Sequence, residues 1–197
     1  MKYKVIFFDA DGVVLKGGYR FTDMLTEQFG LKIENMLPFF EGPFLECAVG
    51  KADVVEELEK VIGDWGWQGT VDELMRFWLS EGTVFDENTL GLVLDLSEKG
   101  VKCFVSTGQE SYRGAYIKEK VGEGKPFADV FYTGEIGFSK KDVRFYEEIF
   151  ERVSRHVSEK SEILLIDDSK HVVDMAKDFG FDAILYSKPS DVDFLQK

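Results

Sequence analysis

FFDADGVVLKG, residues 7–17, decides how the rest of the chain is read. It closes a short run, KYKVIFF at 2–8, that is apolar, β-branched and aromatic and so reads as a buried strand. Asp9 and Asp11 follow at once, and Gly12 comes next. Aspartate and glycine commonly end strands and make turns. In a parallel sheet, however, the carboxyl ends of the strands border the ligand crevice. A carboxylate there with a second one close by suits a hard divalent cation. Gly12 lets the backbone turn sharply and offer amide groups to an anion.

Four later runs resemble the first: VKCFVS (101–106), ADVFYT (128–133, the weakest), EILLID (162–167) and DAILYS (182–187). Helical periodicity lies between them. Tyr146, Ile149, Phe150, Val153 and Val157 fall on one helix face, as do Val172, Val173, Ala176 and Phe179, after which Gly180 stops the helix. Strands alternating with helices predict βαβ units, and hence an α/β fold: a Rossmann-like parallel sheet of about five strands with helices on both faces.

More than ninety residues separate the first two strands, about three times the length of one βαβ unit. That interval reads as helical. DVVEELEKVIG (53–63) puts Val54, Val55, Leu58, Val61 and Ile62 on one face, and TVDELMRFWLS (70–80) opens on a capping-box pair, Thr70 and Glu73. MLPFFEGPF (36–44) and GDWGWQGT (63–70) read as loops. The simplest division is a core of 1–16 and 86–197 with a helical unit inserted at 17–85, whose aromatics form a small core of their own.

The chain has 197 residues, with 24 Lys and Arg against 37 Asp and Glu, a net charge of -13. A phosphate-backbone partner needs a basic face, so nucleic acid is not expected. Hydrophobic residues make up 44%, including 18 Phe, which suffices for a substantial core and argues against global disorder. MKYKVIFFDA is too short an apolar run for a secretory core or a membrane span, and no other stretch is long enough, so a cytoplasmic protein without membrane contact is expected. Cys47 and Cys103 fit no metal or redox spacing and read as reduced and buried.

The ends of the other strands carry matching chemistry. VSTGQ places the Thr107 hydroxyl beside Gly108, a combination that binds phosphate. The EILLID strand ends in Asp167 and Asp168, an acid pair that is costly unless a cation joins it, although one of them can cap the helix opened by Ser169. GFSKKD puts Lys140 and Lys141 just before a helix.

In this order the motifs resemble the haloacid dehalogenase superfamily over essentially the whole chain. Asp9, Asp11 and Gly12 match its first motif, Thr107 its second, Lys140 its third, and Asp167 with Asp168 its fourth. The helical insertion looks like the family's α-helical cap. Members usually carry proline after the motif lysine. Here Lys141 follows, so either lysine can reach the site. Many members have asparagine where Gly108 stands, leaving this chain only the backbone amide there.

The resemblance implies that Asp9 is a nucleophile attacking phosphorus and Asp11 the acid and base that serves the leaving alcohol and then water. It implies Mg²⁺ held by Asp9, the Asp11 carbonyl and Asp168, with Asp167 as ligand or support. Lys140, Thr107, Gly108 and the amides of Ala10 and Asp11 would hold the phosphate. In the family's dehalogenases the position of Asp11 is not aspartate and no metal is needed. Its presence therefore favours phosphoryl transfer. The expected activity is hydrolysis of a small phosphorylated metabolite. A phosphomutase, a dehalogenase and a non-catalytic binding protein on the same fold are the alternatives. Glu46, Gly50 and Lys51 in the cap are candidate substrate contacts, weighed against Lys51 as an exposed helix-start residue. Glu110 and Arg113 are expected to pair with each other at i, i+3.

Overall fold

The computed structural model describes residues 2–16, 21–122, 124 and 126–196. Five strands, β1 (Val5–Phe8), β2 (Lys102–Thr107), β3 (Asp129–Tyr132), β4 (Ile163–Asp167) and β5 (Asp182–Leu185), form one sheet in the order β3-β2-β1-β4-β5. Every neighbouring pair is parallel. All five coincide with the apolar runs seen in the sequence.

The alternation of β1 explains the layering. Val5 and Phe7 face one side, with Phe104, Leu165 and helices α10 (Val143–Val153) and α11 (Lys170–Phe179). Ile6 and Phe8 face the other, with Val105, Ile166 and helices α7 (Glu87–Glu98) and α8 (Ser111–Val121). Burying one such side chain contributes about 1.5–3 kcal/mol. β1 buries four in succession, which is why it occupies the centre. A one-turn helix, α9 (Thr133–Ile136), follows β3.

Residues 21–81 form six helices: α1 (Phe21–Phe29), α2 (Ile33–Phe40), α3 (Phe44–Cys47), α4 (Val54–Glu59), α5 (Ile62–Trp65) and α6 (Val71–Glu81). They share a separate apolar cluster built on Leu25, Met36, Phe39, Leu58, Trp65, Leu74 and Trp78. The chain leaves and rejoins the sheet layer side by side. Lys16 N–H donates to the Val84 carbonyl (2.8 Å) and Asp86 N–H to the Val14 carbonyl (2.8 Å), flanking an antiparallel bridge between Leu15 and Phe85. Residues 17–20, expected from the sequence to open the helical unit, lie outside the described residues.

The capping box forms: Glu73 N–H donates to Thr70 Oγ1 (3.2 Å) and Thr70 N–H to Glu73 Oε2 (2.8 Å). Three expectations change, one being that 63–70 is not all loop, since α5 takes in residues 63–65. Residues 53–63 are not one helix, because the chain turns at Lys60 and Val61 into a second short helix that buries Trp65. The loop expected over 36–44 shrinks to a turn at 41–43, since α2 runs through Pro38 to Phe40. An interior proline costs about 3 kcal/mol. Met36 and Phe39, both buried beside it, return about 1.5–3 kcal/mol each, so packing overrides the local signal. Cys47 and Cys103 are free and buried. No helix among the described residues is long and apolar enough to cross a membrane.

Candidate active site

Sheet order creates the site. β2 and β3 lie on one side of β1 and β4 and β5 on the other, so the crevice opens at the carboxyl ends of β1 and β4. Phe8 is in register with both Val105 and Ile166, which sets Asp9 level with Ser106 and Asp167. The Asp9 amide donates to the Ile166 carbonyl at 2.8 Å, extending the ladder by one residue.

Asp9, Asp167 and Asp168 bring one carboxylate oxygen each to within 4.8 Å of one another. Lys140 joins them. Its ammonium donates to Asp9 Oδ1 (2.7 Å), to Asp167 Oδ2 (2.5 Å) and to the Ser106 carbonyl (2.9 Å). Lys140 is buried. Burial disfavours its charge, but the Asp9 and Asp167 carboxylates outweigh that and push its pKa above the ordinary lysine value. Burial also lifts the Asp9 carboxyl, to about 7, against the opposing pull of Lys140 and with help from the Asp167 charge. Burial and the charge of Asp167 raise Asp168 as well. A second cation among these acids would favour their ionised forms.

Lys141 lines the same chamber but is exposed, and it is Lys140 whose ammonium reaches Asp9 and Asp167. The Tyr146 hydroxyl on α10 donates to the Lys140 carbonyl (2.9 Å), which orients that residue inward. Asp167 Oδ1 accepts the Ser169 amide (2.8 Å), fixing the turn that leads into α11. With both its oxygens engaged, Asp167 supports Lys140, and Asp168 is the more open donor. Gly12 has φ +80°, and a Cβ there would lie 2.6 Å from Asp168 Oδ2. A side chain there would push the Asp168 carboxylate aside.

Asp11 has partners the sequence did not suggest. Arg113 grips it in a fork, Nη1 to Oδ2 at 3.0 Å and Nη2 to Oδ1 at 2.8 Å, and Gln109 Nε2 adds a bond to Oδ2 at 2.7 Å. Arg113 is 8% exposed at its side chain and Asp11 57%, so the clamp is a buried cation holding a half-open anion. Burial pushes the Asp11 carboxyl up, but the Arg113 bonds and charge prevail and hold it below the ordinary value. Arg113 does not pair with Glu110, because Glu110 spends its carboxylate on the amides of Tyr112 and Arg113 (2.6 Å each) as the cap of α8. A buried arginine three residues into a helix after a motif strand is the signal that could have exposed it, since such a cation requires a carboxylate. Arg113 Nη2 also donates to the Gly82 carbonyl (2.8 Å) where α6 ends.

The haloacid dehalogenase-like hydrolase family pattern matches residues 3–180. The chain belongs to this family. Among solved structures, a HAD family enzyme of Bacteroides thetaiotaomicron, as its magnesium complex, superposes with a TM-score of 0.80 at 17% identity, covering 99% of this chain and 98% of that one. A predicted HAD-like family hydrolase of Porphyromonas gingivalis gives 0.74 at 14%, covering 98% and 95%. The L-2-haloacid dehalogenase of Xanthobacter autotrophicus, with chloropropionic acid covalently bound, gives 0.66 at 16%, covering 96% and 80%. At these identities the likeness is one of fold. No curated protein matches the chain.

On this HAD-type scaffold, two cavities meet at Asp11, Gly108, Gln109 and Asp168. One, about 530 Å³, holds Asp9, Thr107, Lys140 and Asp167 beneath Leu45, Ala48 and Val49 of the helical unit. The other, about 470 Å³, lies under Phe21, Phe40, Phe44 and Trp78. Ala10 is fully buried behind Asp9. Gln109 Nε2 lies 3.3 Å from the Thr107 hydroxyl.

Glu46, Gly50 and Lys51 are not brought to either cavity. Lys51 and Glu46 form an exposed pair at 3.7 Å. Gly50, with φ +71°, packs so tightly on the Gly134 carbonyl that a Cβ would collide with it. The loop that bears them is instead a docking point: the Thr133 hydroxyl donates to the Ala48 carbonyl (2.6 Å), and Tyr112 to Asp53 (2.7 Å).

Proposed function

We propose that the protein is a Mg²⁺-dependent phosphoric monoester hydrolase, with residues 17–85 as its cap over a core of 1–16 and 86–197. The observation that carries this reading is the pairing of two unlike carboxylates: Asp9, set among Lys140, Asp167 and Asp168, and Asp11, clamped two residues away by Arg113 and Gln109. A dehalogenation needs no second carboxylate to protonate an alcohol, whereas ester hydrolysis does.

The donor set fits a hard divalent ion, being all carboxylate oxygen on a partly buried cluster. Asp9 and Asp168 would hold Mg²⁺ with the Asp11 carbonyl, and Asp167 would support it. When bound it supplies positive charge that offsets the repulsion between a carboxylate and a phosphate dianion. Lys140 supplies the same while fixing Asp9 Oδ1, leaving Oδ2 to attack. The Thr107 hydroxyl, the Gly108 amide and the amides of Ala10 and Asp11 complete the phosphate cradle.

Asp9 forms its bond to phosphorus as the bond to the ester oxygen breaks, and the departing oxygen takes a proton from Asp11. Water then attacks the aspartyl-phosphate, Asp11 takes back a proton, and phosphate leaves with Asp9 restored. Arg113 favours the ionised, proton-accepting form of Asp11. An arriving phosphate dianion acts in the opposite sense, since a nearby like charge raises a carboxyl's proton affinity, and this loads Asp11 for donation.

The test is a panel of phosphate esters of small metabolites assayed with Mg²⁺. Activity that disappears with a chelator and in Asp9→Asn supports the reading. Undiminished turnover in Asp9→Asn overturns it.

A further inference from the structure

The two cavities divide the substrate between them, an argument that rests on the phosphatase reading above. The groups that hold phosphorus, Asp9, Lys140 and Thr107, line only one of them, whereas Asp11, which serves the leaving oxygen, lines both. The leaving alcohol therefore extends past Asp11 into the second cavity. At about 470 Å³ that space falls in the size range of small-molecule pockets and far exceeds a short alkyl group.

Its wall is built from four helices, each giving one ring. Phe21 stacks on Trp78 with centroids 4.5 Å apart and planes 11° from parallel. Phe44 lies 5.3 Å from Phe40 and 5.8 Å from Trp78. Phe21, Phe40 and Phe44 are only partly buried and pack against the helical cluster from outside, so each keeps surface turned to the cavity. Of the polar side chains on the lining, Asp11, Gln109 and Arg113 are bonded to one another, so a sugar or polyol laid against the rings would leave hydroxyls without partners there. A flat ring matches this wall by offset or edge-to-face contact. Lys16 on the same wall adds a charged side chain to meet a polar ring edge.

We propose that the substrate is a phosphate monoester whose alcohol carries an aromatic or heteroaromatic ring, and that this ring sits among Phe21, Phe40, Phe44 and Trp78. Non-hydrolysable phosphonates separate ring binding from leaving-group chemistry. Calorimetry on the Mg²⁺-loaded protein should find benzylphosphonate bound roughly tenfold or more tightly than methylphosphonate. Phe44→Ala should narrow that gap, and so should Phe44→Leu, which keeps an apolar side chain in the helical unit while removing the ring. Equal affinities in the wild type, a gap that persists in both variants, or tighter binding of a sugar phosphonate than of benzylphosphonate would overturn the assignment. Ester hydrolysis accompanied by equal affinities removes the ring assignment alone. Absence of both phosphonate binding and ester hydrolysis removes the phosphatase reading and this inference with it.

Discussion

Asp9→Asn should abolish turnover and, at the same time, stabilise the metal-free protein above neutral pH. The Asp9 side chain is 11% exposed, and its burial lifts the carboxyl from the ordinary 3.8 to about 7. Because the folded value is raised, the native state keeps a proton that the unfolded chain has released over that interval. The group's contribution to stability is complete below about pH 4 and is lost as the pH rises through about 7. At about 1.4 kcal/mol per pH unit the rise amounts to about 4 kcal/mol, an upper bound. Asparagine carries no charge to desolvate and still offers Lys140 an amide oxygen, and because the raised value already includes the pull of Lys140, the net gain is up to about 4 kcal/mol. Urea denaturation in the presence of a chelator should show the variant more stable by that amount at about pH 8 and level with the wild type at about pH 4. Added Mg²⁺ should close the gap at the higher pH by stabilising the wild type. A variant no more stable at the higher pH, or one whose advantage is the same at both, would refute the reasoning.

Arg113→Met should lower kcat on alkyl phosphates by roughly a hundredfold, the scale of a misplaced general acid, with Arg113→Lys recovering part of the loss and KM moving little. Steady-state rates of the three proteins check this. Gly12→Ala should cost about 1–3 kcal/mol of stability through its positive φ and should also weaken Mg²⁺, because its Cβ would displace Asp168. Denaturation and a magnesium titration read the two effects separately.

Much of the site is legible in the chain because its signals are local. Each of the five strands is a short apolar run, and Asp9, Thr107 and Asp167 sit at the ends of such runs, so a parallel sheet gathers them at one edge. Gly12 was legible as a turn former, although its close approach to the Asp168 carboxylate, which a Cβ would displace, involves a residue far along the chain. Local signals misled where packing overruled them. Pro38 marked a break that the burial of Met36 and Phe39 overcomes. Lys51, weighed in the sequence as a substrate contact or an exposed helix-start residue, lies exposed beside Glu46, on a loop that meets Gly134 and Thr133.

Periodicity and the residues next to strand ends were enough to read the five-stranded sheet, the helical character of the interval after β1 and the order of the acidic and hydroxyl motifs. Only the tertiary structure decided between Lys140 and Lys141, gave Asp11 its clamp from Arg113, 102 positions away, and assembled four rings from four helices into one wall. Those outcomes depend on where side chains from distant segments converge, and a single segment's pattern records which face is buried, not what it meets there.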